Sequence, residues 1–242
     1  MTPLSRDEQV PAGSFLGHLD EIRTRLIKCF VLFLGAALCV YSSFDFIYAW
    51  LTAAVGDLVF LSPQDALVAR LMVTWSTAVV LISPYVVYHI WHFVQGGLKK
   101  NERRAMMCFM PISFCFLAGG ACFAYFVMTP ILMHFLLSFK TPNMIAMITV
   151  SNYLRFLFCL IFSFSIVFQL PLVLLLLTRV GVVTPNQLSQ KRRHAFVLML
   201  MLAALLTPPD VVTQLIVVGP LMLLFECGIL FSKIVYKENI DG

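Results

Sequence analysis

Charge is what this sequence has least of. Asp, Glu, Lys and Arg make up 12% of the 242 residues, and apolar residues make up 60%, against roughly 25% and 45–50% in a soluble domain. That balance excludes an ordinary soluble enzyme and a disordered chain. It also excludes a nucleic-acid binder, despite a net charge of +5. Catalytic signatures are missing as well. There is no G-x-x-x-x-G-K-[ST] loop, no H-E-x-x-H pair and no G-x-S-x-G elbow. No enzyme, cofactor or metal is expected, so any transport must draw on a gradient or a partner. The seven cysteines (Cys29, Cys39, Cys108, Cys115, Cys122, Cys159 and Cys227) form no CxxC or Cys/His spacing. They read as small packing residues. Internal repeats are absent too.

What the chain does have is long runs free of charge. They are Cys29–Phe44, Leu71–Leu98, Ala105–Phe139, Phe156–Thr178, His194–Pro209 and Val211–Phe225. About 20 apolar residues cross a hydrocarbon core, so the expected fold is an all-α polytopic membrane protein in one domain. Six spans are expected at about 26–45, 71–91, 105–129, 154–178, 195–207 and 211–232, with a cytoplasmic tail at 233–242. Residues 1–25 show no apolar core or cleavage site of a signal peptide. Phe15, Leu19, Ile22 and Leu26 share one helical face, so Phe15–Leu26 reads as an amphipathic helix feeding the first span.

Orientation follows from the basic residues. With both termini in the cytoplasm, the inner segments hold 14 of the 17, among them Arg23, Arg25, Lys99, Lys100, Arg103, Arg104, Lys191, Arg192 and Arg193. The outer side holds only Arg70, Lys140 and Arg155. Lys and Arg in short loops stay inside. The two outer loops, up to about Arg70 and over Pro130–Tyr153, are long and apolar enough to pack as a cap. Pro84, Pro111 and Pro171 lie inside spans two to four and predict curved helices.

Spans five and six form an odd hairpin. Ala195–Leu206 is 12 residues long, about 18 Å of helix, against a core of about 30 Å. The turn Thr207-Pro208-Pro209-Asp210 follows at once. Either the turn is submerged or the bilayer thins to meet it.

Polar groups inside the spans are the candidate functional residues. Glu226 is the only carboxylate deep in an otherwise uncharged span; Gln214 lies three turns earlier and Gln169 two residues before Pro171. The three read as a polar track or, for Gln214 above all, as hydrogen bonds between helices. At the cytoplasmic face Glu21 closes the amphipathic segment, and Glu102 lies among Lys99, Lys100, Arg103 and Arg104. Glu102 is either a local salt bridge or half of a carboxylate pair for a guanidinium ligand, which prefers planar bidentate partners.

The ordered motifs Phe15-Leu16-Gly17-His18-Leu19-Asp20-Glu21-Ile22-Arg23, Trp91-His92-Phe93, Leu98 through Glu102-Arg103-Arg104, Phe123-Ala124-Tyr125-Phe126, Thr207-Pro208-Pro209-Asp210 with Gln214, and Pro220 through Glu226 resemble the TatC family of the twin-arginine protein translocase over nearly the whole length. The resemblance implies six helices in a concave, glove-like bundle of the bacterial inner membrane. It implies binding of signal peptides with two consecutive arginines, contacted by Glu21 and Glu102 on a surface shaped by Leu19, Arg23, Phe93 and Arg104. It also implies TatA and TatB as partners in an oligomeric complex, and the proton-motive force as energy source. Two departures stand out. The first cytoplasmic loop reads Phe93-Val94-Gln95-Gly96-Gly97-Leu98-Lys99 where the family has Phe-Ile-Ala-Pro-Gly-Leu-Tyr, and span four reads Phe168-Gln169-Leu170-Pro171 where the family has Glu before x-Pro. Gln169 cannot ionise, which puts a proton-carrying role there in doubt. Two other functions compete: a gradient-coupled small-solute transporter with Glu226 as ion site, and a structural scaffold. The lack of repeats weighs against the transporter.

Overall fold

The computed structural model describes residues 15–53, 55, 58–96, 100–141, 147–207 and 210–241, with side chains described from Arg23 onward except at 93–108 and 237–241. Among the described residues the fold is helical, apart from one isolated bridge between Val59 and Thr149. The helices are α1 (Phe15–Ser42), α2 (Phe44–Thr52), α3 (Asp65–Gly96), α4 (Lys100–Phe123), α5 (Thr129–Ser138), α6 (Val150–Val167), α7 (Leu170–Arg179), α8 (Pro185–Gln190), α9 (Arg192–Leu206) and α10 (Val211–Asp241). Among the described residues, five segments are long and apolar enough to cross a membrane: Arg23–Ser42, Asp65–His92, Phe109–Ser138, Val150–Arg179 and Val211–Tyr236. The expected fifth span is α9, a helix of 15 residues, about 22 Å long and still short of the hydrocarbon core.

The prolines act differently in different helices. Pro84 leaves α3 continuous; it cannot donate to the Val80 carbonyl, and the Ser83 hydroxyl donates there instead at 2.6 Å. Pro171 divides the fourth segment, with α6 ending at Val167 and α7 starting at Leu170. Pro130 does not end the third segment, contrary to the expected loop from that residue. In a regular helix its ring would collide with the carbonyl four residues back. The chain widens into a π turn over Ala124–Met128, where the Thr129 N–H and hydroxyl both donate to the Ala124 carbonyl. Helix then resumes as α5, so the connection expected as the second outer loop begins after Ser138.

The two connections expected as outer loops do pack against each other. Val59 N–H donates to the Ile148 carbonyl at 3.0 Å, and Val150 N–H donates back to Val59 at 3.3 Å. The stretch expected as loop after the first span contains α2, whose final carbonyls lack partners within the helix. Tyr125 and Tyr153 supply them: their hydroxyls donate to Trp50 O at 2.7 Å and Leu51 O at 2.9 Å. The Trp50 and Tyr125 rings stack 4.3 Å apart.

The core centres on α6. Tyr153, Leu154, Leu157, Leu160 and Phe164 are buried in α6, which packs against α4, α3, the π turn and α9. In contrast α1 shows Leu26, Phe30, Val31, Leu34 and Leu38 on its surface. A bilayer gives no hydrophobic drive between helices, so close packing and small residues carry association. A Cβ on Gly120 of α4 would lie 2.7 Å from the Phe164 carbonyl oxygen, and one on Gly228 of α10 would lie 3.2 Å from Pro171 Cα. Those glycines let α4 meet α6 and α10 meet α7 at backbone contact.

Candidate functional site

Among the described residues, four hydrogen-bonded groups between helices bear on the polar positions marked in the sequence, and a separate buried pair joins the Thr178 and Ser232 hydroxyls between α7 and α10. In the first, α1 reaches α3. Arg25 donates to the His89 carbonyl at 3.2 Å, and its other terminal nitrogen meets His92 Nδ1 at 2.9 Å. Arginine cannot accept, so Nδ1 is the acceptor and His92 is held in the tautomer with its proton on Nε2. This contact fixes the end of α1 that carries Glu21 against the end of α3 that leads to Phe93.

The second group links α3, α4 and the α6–α7 junction. Trp91 Nε1 donates to Ser113 Oγ at 2.8 Å, Ser113 Oγ donates to Gln169 Oε1 at 2.6 Å, and Gln169 Nε2 donates to the Ser113 carbonyl at 2.9 Å. Trp91 and Ser113 are buried. The Trp91 ring stacks with Phe109 at 6.3 Å and 15°. The sequence marked Gln169 but not Ser113. Its available signal was a lone hydroxyl in an apolar span, which demands a partner.

The third and fourth groups hold the hairpin of α9 and α10. Arg192 donates to Glu226 Oε2 at 2.9 Å, and Gln214 Nε2 donates to the Leu200 carbonyl at 2.8 Å. Glu226 is thus not a lone carboxylate; it is half of an ion pair with 38% of its side-chain surface exposed. Gln169, Gln214 and Glu226 reach three different partners and form no common track. Arg192 had a legible signal. It lies 15 residues before Thr207 and Glu226 lies 16 after Asp210, so an antiparallel hairpin brings the two level.

Asp210 turns out to be the N-cap of α10. Its Oδ2 accepts from Thr213 N–H at 2.9 Å, while Thr207 Oγ1 donates to the Ala203 carbonyl and closes α9. Pro208 and Pro209 lie outside the described residues. Leu19 and Glu21 sit on α1, Phe93 near the end of α3, and Glu102 and Arg104 in the first turns of α4, with their side chains outside the described residues. Arg23 is exposed on α1. Among the described residues no cluster of three His, Cys, Asp or Glu could hold a metal ion.

A family model described as Sec-independent protein translocase protein (TatC) matches residues 17–220. The chain belongs to the TatC family. It is 32% identical over 226 residues to the Sec-independent protein translocase protein TatCd of Bacillus subtilis, covering 93% of each chain. It is 34% identical to TatC of Desulforapulum autotrophicum, over 98% of this chain and 89% of that one. A crystal structure of the twin-arginine translocase receptor TatC superposes with a TM-score of 0.80 at 30% identity, over 90% of this chain and 99% of that one. A second crystal structure of that receptor, in DDM, gives 0.81. Membership of TatC makes the chain an integral membrane component of a protein translocase and not an enzyme. The transporter with Glu226 as ion site finds no support: its carboxylate is already paired with Arg192.

Proposed function

We propose that this chain is the receptor subunit that reads two consecutive arginines on signal peptides, at the cytoplasmic face of the bacterial inner membrane. Glu21 and Glu102 pair with the guanidinium groups, and Leu19, Arg23, Phe93 and Arg104 shape the surface around them. The observation that carries this is the bond from Arg25 to His92. Glu21 lies one helical turn before Arg25, and Glu102 lies ten residues after His92 at the start of α4. Glu21 thus lies on the helix end pinned to the end of α3, and Glu102 lies on the helix that comes next after α3, which supports the pairing.

Chemistry favours this assignment. Guanidinium keeps its charge in proteins, and a carboxylate binds it through a planar fork that lysine cannot make. The bases Arg23, Arg103 and Arg104 repel an ill-placed cation, which sharpens specificity. TatA and TatB complete the oligomeric complex, the proton-motive force drives export, and the polar groups Gln169, Gln214 and Glu226 serve assembly within the bilayer.

Binding of a twin-arginine peptide to the purified chain tests the reading. Loss of one charge-assisted hydrogen bond costs about 1.5–3 kcal/mol, so Glu102→Ala weakens binding by about one to two decades. Glu21→Ala does the same, and the double variant loses little more if the pair holds one rigid unit. Wild-type affinity in Glu102→Lys, in detergent and in membranes, defeats the assignment.

A further inference from the structure

We infer that the last two turns of α3 form a hub that sets the spacing of the arginine site, with Trp91, Ser113 and Gln169 as positioning residues; the inference rests on the receptor reading above. The hub is tied on two sides. From α1, Arg25 bonds to the His89 carbonyl and to His92. From α4, Ser113 bonds to Trp91 and to Gln169. Each tie lies on a helix that carries one half of the site. Glu21 is four residues before Arg25 on α1. Glu102 is 11 residues before Ser113 on α4, about three turns or 16 Å along the helix. Phe93 follows Trp91 by two residues on α3 itself. Slippage at the hub therefore changes the separation of the two acids while every helix stays folded.

The proton pattern of the chain is fully determined. An indole N–H only donates, so Ser113 must spend its own proton on Gln169. Gln169 must then turn Oε1 to the hydroxyl and Nε2 to the Ser113 carbonyl. No donor or acceptor among the three side chains can be reversed without leaving a group unpaired in a buried setting, where unmade hydrogen bonds are costly. A carboxylate at 169 could accept from Ser113 but could not donate to its carbonyl. The amide that departs from the family motif supplies the donor and the acceptor together at any pH, where a carboxyl group would have to hold a proton to do so. Simple packing needs none of this, since an alanine and a leucine would fill the space without polar atoms. A bidentate fork, by contrast, tolerates little displacement of its carboxylates, and a supporting layer of locked side chains supplies that tolerance.

The test uses the full chain in detergent, a labelled peptide carrying two arginines, and its counterpart with two lysines. Trp91→Phe keeps the ring and removes the donor; Ser113→Ala removes the relay. Each is expected to weaken twin-arginine binding about three- to tenfold, the equivalent of one neutral hydrogen bond. Each is also expected to narrow the arginine-over-lysine preference, with the fraction of molecules able to bind unchanged. The double variant is expected to bind as Ser113→Ala does, because both act through one hydroxyl. A purely structural role would instead lower the binding fraction and leave the affinity of the remainder intact, which overturns the inference. Wild-type affinity in both single variants, alongside weakened Glu102→Ala, overturns the hub and leaves the receptor reading standing. Wild-type affinity in Glu102→Ala as well overturns both.

Discussion

Tyr153 is where the cap and the core meet. Its ring is buried in α6 and its hydroxyl donates to the last turn of α2 across 102 positions of sequence. Tyr153→Phe leaves the Leu51 carbonyl without a partner, at a cost of about 1–3 kcal/mol. A lower thermal midpoint of the detergent-solubilised protein measures it, and an unchanged midpoint means water or another donor takes over. Gly120 presents the opposite case, in which an addition does the harm. A Cβ there would meet backbone of α6 at 2.7 and 2.8 Å, and backbone cannot rotate away as a side chain can. Gly120→Val should therefore cost about 1–3 kcal/mol or more through forced separation of α4 and α6. Gly35, with nothing within 4 Å of a Cβ, is the control, and Gly35→Val should leave the midpoint nearly unchanged. Neither role could be read from sequence. A glycine in an apolar run looks the same whether it faces lipid or a neighbouring helix.

Among the elements, the α9–α10 hairpin is tied at three points. Asp210 caps α10, Gln214 bonds back to α9, and Arg192 and Glu226 pair near the open end. The sequence announced the hairpin through its Pro-Pro turn and the shortness of α9, but it presented Glu226 as solitary, because the partner lies 34 residues away. Other element boundaries were hidden for related reasons. The nine residues of α2 are as apolar as a span and far too short for one, so they read as loop. Pro130 reads as a helix stop, yet the π turn absorbs it. The ion pair offers a charge-exchange test. Glu226→Arg and Arg192→Glu each set like charges about where the 2.9 Å contact now lies, and each should impair export of a twin-arginine cargo or partner assembly. The exchanged double variant should recover much of the loss, since the pair is restored in reverse. A helical spectrum and thermal midpoint like those of the wild type in detergent show that the singles fold. Full activity in both singles removes any role for the pair.

For the molecule as a whole, the open question at membrane scale is how α9 is counted. Six crossings, with both ends inside, make the 14-to-3 distribution of basic residues consistent with the tendency of Lys and Arg to stay in the cytoplasm. Five crossings would send the C-terminus, with Lys233 and Lys237, to the other side. Length alone argues against α9 as a span, since 15 residues make about 22 Å of helix. The hairpin answers this. Arg192 and Arg193 begin α9 and Asp210 ends the turn, so the charged ends of the hairpin lie about 18 residues apart along one arm. A charged or capped turn is costly in hydrocarbon, so a crossing α9 predicts a bilayer that thins over it or a turn that lies submerged with water reaching Asp210. Reporter fusions decide the count. Fusions at Gln64, Thr141 and Pro209 should report outside, and fusions at Lys100, Gln190 and Gly242 should report inside. An inside result at Pro209 with Gln190 also inside would make α9 a re-entrant element that never crosses. An inside result at Thr141 would undo the orientation itself. If instead all six agree, a cysteine introduced at 209 should label with a membrane-impermeant maleimide added from outside. Labelling only after solubilisation would favour a submerged turn over a thinned bilayer.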